Sequence, residues 1–140
     1  EDVAYPFYGD LVEMARDVDI LISIAPGGDA THHLISTDVL NALGPDGVLI
    51  NVGRGSVVDE AALISTLQKE RLFSAGLDVF ENEPHVPAEI IAMERVVLLP
   101  HVGSASVHTR GLMGQLLVDN LKRFFETGKP ITPVAETPLK

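Results

Sequence analysis

Residues 19–28 read DILISIAPGG, a short and nearly continuous apolar run, polar inside only at Ser23, that ends in Pro26-Gly27-Gly28. The run is too short for a typical helix and closes on turn chemistry. It therefore reads as a strand buried on both faces, as in a parallel sheet. Three more runs of this kind lie downstream. Residues 48–52 (VLINV) leave into Gly53-Arg54-Gly55. Residues 75–80 (AGLDVF) precede Glu81-Asn82-Glu83-Pro84, and residues 96–100 (VVLLP) run into His101-Val102-Gly103-Ser104.

Helical patterns separate these strands. Residues 10–17 carry Leu11, Met14 and Ala15 at helical spacing. Residues 36–43 have Ser36 or Thr37 as cap and Gly44-Pro45 as stop. Residues 59–67 turn Ala61, Leu63, Ile64 and Leu67 inward, and residues 87–93 form a short helix with proline in its first turn. This alternation predicts an α/β fold with a parallel sheet. A long helix over residues 104–126 comes next, with Leu112, Met113, Leu116, Leu117, Leu121 and Phe124 three and four apart. Gly128-Lys129-Pro130 ends it, and the tail over residues 131–140 reads as extended. The one plausible boundary lies near residues 101–106, where the short rhythm gives way to the long helix.

The 140 residues make one domain's worth of chain, 46% apolar and 21% charged, which argues against disorder. Ten basic against twenty acidic residues give a net charge of −10. Such a chain is a poor non-specific binder of nucleic acid or of anionic membranes. There is no cysteine, which excludes disulfides, thiolate catalysis and cysteine-based zinc sites. No apolar stretch approaches a membrane span and no signal peptide opens the sequence, so a cytoplasmic protein is expected. The chain begins Glu1-Asp2-Val3 without Met, which suits an excised piece or a processed product.

In an open parallel sheet, ligands sit beyond the carboxyl ends of the strands. That edge collects Arg54, Glu83 and His101 on three separate loops, with Asp78 near the end of its strand. Arg54 offers a planar fork suited to a carboxylate or phosphate, and its flanking glycines permit close approach. The alternative is a solvated arginine paired with Asp59 or Glu60. His101 carries the side chain whose proton moves most readily near neutral pH, and a carboxylate such as Glu83 would raise its pKa and keep it cationic. The alternatives are a structural histidine capping the long helix and a solvated loop glutamate. Asp78 interrupts an apolar strand, and a buried aspartate needs donors. His32-His33 has no acidic residue at ligand spacing, so no metal site is expected. His85 and His108 read as surface residues. Gly27-Gly28 is not a phosphate loop, because neither G-x-G-x-x-G nor a Walker lysine is present.

Residues 48–60 (VLINVGRGSVVDE), 75–84 (AGLDVFENEP) and 98–106 (LLPHVGSAS) resemble the signature segments of the D-isomer-specific 2-hydroxyacid dehydrogenases. The likeness continues through Thr109-Arg110 and residues 120–130 (NLKRFFETGKP), and the VGRG form is most similar to the glyoxylate/hydroxypyruvate reductase branch. The resemblance implies a Rossmann-type domain and reduction of a small 2-keto acid to the D-2-hydroxy acid with NADP or NAD. It implies Arg54 as the substrate-carboxylate arginine, Glu83 as the catalytic acid and His101 as the proton donor. Asp78 would contact the nicotinamide amide, and Ala25, Pro26, Val52, Gly53, Arg54, His101, Gly103 and Ser104 would line the cofactor site. Where many members have His-x-Pro, this chain has Ile24-Ala25-Pro26. It also lacks the family's glycine-rich fingerprint and most of its substrate domain. Residues 1–103 would then be the distal part of the NAD(P)-binding domain, and residues 104–140 a crossover helix and tail returning to the substrate domain. A homodimer is expected for the intact enzyme. Two other readings stand beside it: a nucleotide-sensing corepressor of the C-terminal-binding-protein type, which shares this fold, and an inactive folded fragment.

Overall fold

The computed structural model describes residues 5–135. In chain order the elements are α1 (Leu11–Asp17), β1 (Ile20–Ser23), α2 (Thr37–Leu43), β2 (Val48–Asn51), α3 (Glu60–Gln68), β3 (Ser74–Leu77), α4 (Ala88–Ile91), β4 (Val96–Leu98) and α5 (Val107–Thr127). Single 3-10 turns lie at Asp29–Thr31 and Gly55–Val57. The four strands form one parallel sheet in the order β1-β2-β3-β4, with Ile20 opposite Val48, Val48 opposite Ser74, and Ala75 opposite Val96.

Each new strand is added on the same side of the one before. Right-handed crossovers then carry all the connecting helices to one face of the sheet. The core is built on that face. Leu21, Leu49, Ala75 and Leu77 share a buried cluster with Ala15, Leu40, Leu43, Leu63 and Leu67 from the helices. The side chains that alternate with them point the other way: Ile20, Ile22 and Ile24 are 54%, 58% and 76% exposed, and Val97 is 65% exposed. The expectation of strands buried on both faces is therefore corrected, because no described helix of this unit covers the second face.

Local chemistry sets the ends of the elements. Asp10 accepts from the N–H groups of Val12 and Glu13, Asp59 from that of Ala62, and Ser106 from that of Thr109, each satisfying donors that a helix start leaves open. The long helix starts at Val107 rather than at residue 104, because residues 102–105 form a turn in which Ala105 N–H donates to Val102. Gly128 takes the left-handed conformation (φ +76°) that closes α5, its N–H donating to the Phe124 carbonyl. Ser36 stands at the N-cap of α2 but makes no side-chain cap bond. Pro87 precedes α4, which is a single turn. Thr132 of the tail bonds back to Asn120 of α5. Residues 136–140 of the expected extended tail lie outside the described residues.

The chain divides into two compact units, Glu1–His101 and Val102–Lys140. No helix among the described residues is long and apolar enough to cross a membrane. The strands are shorter than the apolar runs of the sequence, and the loops at their carboxyl ends build the site.

Candidate active site

Asn51, the last residue of β2, is 1% exposed and shapes the turn that presents Arg54. Its Oδ1 accepts from Gly53 N–H at 3.1 Å and its Nδ2 donates to the Arg54 carbonyl at 3.0 Å. Both glycines of Gly53-Arg54-Gly55 are sterically required. A Cβ at Gly53 would stand 2.5 Å from the Ala25 carbonyl oxygen. One at Gly55 would stand 1.9 Å from the carbonyl of Phe80. The three loops after β1, β2 and β3 are thus in backbone contact, and Arg54 is held in an extended conformation between them. Its side chain is exposed, and Nη1 donates to the Gly53 carbonyl at 2.7 Å. The pairing with Asp59 or Glu60 does not occur. Asp59 caps α3, and Glu60 Oε2 accepts from Glu81 N–H at 3.3 Å. Among the described residues Arg54 forms no ion pair.

Glu83 uses both carboxylate oxygens. Oε1 accepts from the N–H of Phe80, in its own loop, at 3.0 Å, and Oε2 lies 2.7 Å from His101 Nδ1. The hydrogen bond to His101, followed by that to Phe80 N–H, holds the Glu83 carboxyl below the usual carboxylate range against a smaller desolvation cost. The charge of Arg54 acts in the same direction. His101 comes directly after Pro100 at the exit of β4 with φ +55°, a left-handed conformation uncommon for a residue with a side chain. Strain of this kind persists where surrounding structure holds it, commonly at functional sites. Arginine, glutamate and histidine from three loops therefore share one edge of the sheet, with Glu83 and His101 in direct contact.

Beside Arg54 lies an open cleft of about 590 Å³ lined by Ile24, Ala25, Pro26, Gly27, Val52, Gly53, Arg54 and Ser56. Its size is that of a small-ligand site. Its walls mix apolar side chains with close-packed backbone, and a Cβ at Gly27 would crowd Arg54 Cγ at 3.2 Å. A flat, partly apolar ring carrying an amide fits such walls. Asp78 is buried at the carboxyl end of β3, its N–H donating to the Asn51 carbonyl. Ala25, Pro26, Val52, Gly53 and Arg54 thus meet in one cleft. Gly103 and Ser104 belong to the second unit.

Sequence reasoning missed the role of Asn51, although a lone amide inside VLINV is the same kind of signal as Asp78 inside its strand. It also missed the contact of His33 with Glu81, 48 residues apart, at 2.7 Å, for which no local spacing gives a sign.

The model of the D-isomer-specific 2-hydroxyacid dehydrogenase NAD-binding domain matches residues 1–103. The chain is 53% identical to a hydroxyphenylpyruvate reductase of Plectranthus scutellarioides over 131 residues, which are 93% of this chain and 42% of the relative. It is 50% identical to a glyoxylate/hydroxypyruvate reductase A of Arabidopsis thaliana, across 95% of this chain and 42% of that protein. An NADPH-dependent glyoxylate/hydroxypyruvate reductase from Sinorhizobium meliloti, solved in complex with NADP and malonate, superposes with a TM-score of 0.94 at 56% identity, over 100% of this chain and 44% of that one. The chain therefore spans less than half the length of these relatives. With its NAD-binding-domain segment matched and its parallel sheet shared, the chain belongs to the D-isomer-specific 2-hydroxyacid dehydrogenase family.

Proposed function

We propose that the protein carrying this chain is an oxidoreductase that reduces a small 2-keto acid, of the glyoxylate or hydroxypyruvate kind, to the D-2-hydroxy acid with NADPH or NADH. The observation that carries the reading is the 2.7 Å contact of Glu83 with His101, with Arg54 exposed on the neighbouring loop. The relatives named above, three reductases of 2-keto acids, support it.

When bound, the nicotinamide supplies hydride to the carbonyl carbon. Ala25, Pro26, Val52, Gly53 and Asp78 would hold it, and the family resemblance adds Gly103 and Ser104. Arg54 grips the substrate carboxylate with its planar fork and orients the carbonyl. His101, engaged by Glu83 through Nδ1, gives the proton on Nε2 to the carbonyl oxygen as charge develops there. Glu83 stabilises the imidazolium and fixes the ring's orientation. Its own place is fixed by the Phe80 N–H, so the donor rests on backbone rather than on a free side chain.

In this reading residues 1–103 are the distal part of the nucleotide-binding domain, and residues 104–140 are the helix and tail that return to a substrate domain. The intact enzyme is a cytoplasmic homodimer. The test is a spectrophotometric assay of the intact enzyme with NADPH or NADH and either glyoxylate or hydroxypyruvate. Cofactor oxidation dependent on keto acid, abolished in His101→Asn, is expected. A wild-type protein that binds nucleotide without turning over either acid would instead favour the corepressor type.

A further inference from the structure

A second constellation uses none of Arg54, Glu83 and His101, although it shares their loops: Glu81 is two residues before Glu83, and His33 bonds Ser56, which lines the Arg54 cleft. His32, His33 and Glu81 bring three ligand atoms within 4.8 Å of one another. Adjacent side chains on an extended strand point to opposite sides. Here His33 has φ +50°, and the left-handed step folds its ring onto that of His32, with centroids 3.9 Å apart and planes 27° apart. The position is fixed from behind, because His33 N–H donates to the Ser56 carbonyl at 2.8 Å. Glu81 arrives from the loop after β3, its Oε1 2.7 Å from His33 Nε2. Its backbone is fixed as well, by the bond from its N–H to Glu60 Oε2.

From this convergence we infer that His32, His33 and Glu81 form a binding site for a divalent transition-metal ion such as Zn²⁺. Two imidazoles and one carboxylate are a ligand set suited to zinc, with the fourth position left to water. Bonds of about 2.0–2.1 Å in tetrahedral geometry need ligand atoms roughly 3.3 Å apart. Reaching that spacing from within 4.8 Å requires the exposed His32 ring to turn out of its stack on His33. The ion replaces the His33–Glu81 contact with one bond to each partner. The chain's net charge of −10 favours cation approach in general. Once bound, the ion ties the loop after β1 to the loop after β3. It acts as a cross-link and stabilises the native state by mass action.

The proposal is independent of the reductase reading, since its test needs neither substrate nor nucleotide. Zinc chloride is titrated into the protein by calorimetry, and cobalt(II) chloride is added in parallel for its visible absorption, which intensifies on tetrahedral coordination. One equivalent bound at this site, a Tm that rises with zinc and returns on chelation, and a tetrahedral cobalt band are expected. His32→Ala and Glu81→Gln should each weaken that affinity at least tenfold, while His85→Ala and His108→Ala, at exposed histidines elsewhere, leave it unchanged. Glu81→Gln keeps a hydrogen-bonding group beside His33, so a lost metal response with an unchanged metal-free Tm is a ligand effect and not misfolding. No saturable binding, or binding of equal strength in His32→Ala and Glu81→Gln, would overturn the assignment.

Discussion

Glu83 bridges the backbone of its own loop and the histidine of the next: one carboxylate oxygen accepts from Phe80 N–H at 3.0 Å, and the other lies 2.7 Å from His101 Nδ1. This joins two loops that leave neighbouring strands, and the bond to His101 favours the charged form of Glu83.

The sign of the shift sets the response to pH. The carboxyl of Glu83 is held below its ordinary value by these hydrogen bonds. Its contribution to stability is thus complete above the ordinary carboxylate range and is lost as pH falls through the lowered value. In the intact enzyme keto-acid reduction should fall on the acid side, as the Glu83 carboxyl is protonated through its lowered value and its bond to His101 is lost, and Glu83→Gln should lack that acid limb. We expect kcat to drop by about 10²–10⁴-fold as well. A kcat/KM profile against pH on the two proteins decides it, and an acid limb at the same pH in both would separate Glu83 from proton donation.

Arg54 is exposed and makes no ion pair among the described residues. Arg54→Lys keeps the charge and loses the fork. Steady-state kinetics of the intact enzyme should show kcat/KM lower by roughly ten- to a thousandfold, about 1.4–4 kcal/mol, with an unchanged unfolding midpoint. Equal kinetics in the two proteins would mean that the guanidinium does not touch the substrate.

The strands, their parallel pairing and the gathering of Arg54, Glu83 and His101 at one edge were legible because each rests on a local pattern read through one topological rule. Other features depend on contacts distant in sequence. The side of the sheet that the described helices cover follows from the strand order and the common direction of the crossovers, which no local run reveals. The Arg54 turn depends on Phe80 and Ala25, and the His33–Glu81 contact spans 48 residues. Asn51 was within reach: a buried amide in an apolar strand must be satisfied, and here its partners are Gly53 and Arg54.

The 140 residues alone should not reduce keto acids. They contain no G-x-G-x-x-G turn, and dinucleotides depend on pyrophosphate contacts at such a helix start. Absorbance of NADPH with glyoxylate should stay flat, and turnover on the order of 1 per second or faster would contradict this.

Gly55 tests whether the loops are locked together. A methyl group there would meet the Phe80 carbonyl at 1.9 Å, so backbone must move. Gly55→Ala should cost about 1–3 kcal/mol or more in urea unfolding. It should also disturb the Glu83–His101 contact, since Phe80 N–H holds Glu83. Gly9→Ala, where the new methyl meets nothing within 4 Å, is the control and should be close to neutral. Equal midpoints for the two variants would show that the packing of Gly55 on Phe80 is not a constraint.

Asn51 separates holding Arg54 in place from merely filling the core. Its amide satisfies one donor and one acceptor of the arginine turn, and it is 1% exposed. Asn51→Ala leaves Gly53 N–H and the Arg54 carbonyl without that partner. The Arg54 carbonyl keeps the Val57 N–H at 3.2 Å, so Gly53 N–H is the group left unsatisfied, and a loss of about 1–3 kcal/mol is expected in urea unfolding. Asn51→Asp keeps an acceptor for Gly53 N–H. It turns an oxygen lone pair toward the Arg54 carbonyl and buries a charge, so it should not rescue stability at neutral pH and should recover partly as pH falls and the carboxyl is protonated. The kinetic signature is specific to the turn. Substrate held through a displaced Arg54 is bound less well before and during reaction, so KM for the keto acid should rise in the folded fraction of Asn51→Ala while KM for NADPH changes little. A variant that loses stability with both KM values unchanged would leave Asn51 a core residue without a part in presenting the arginine.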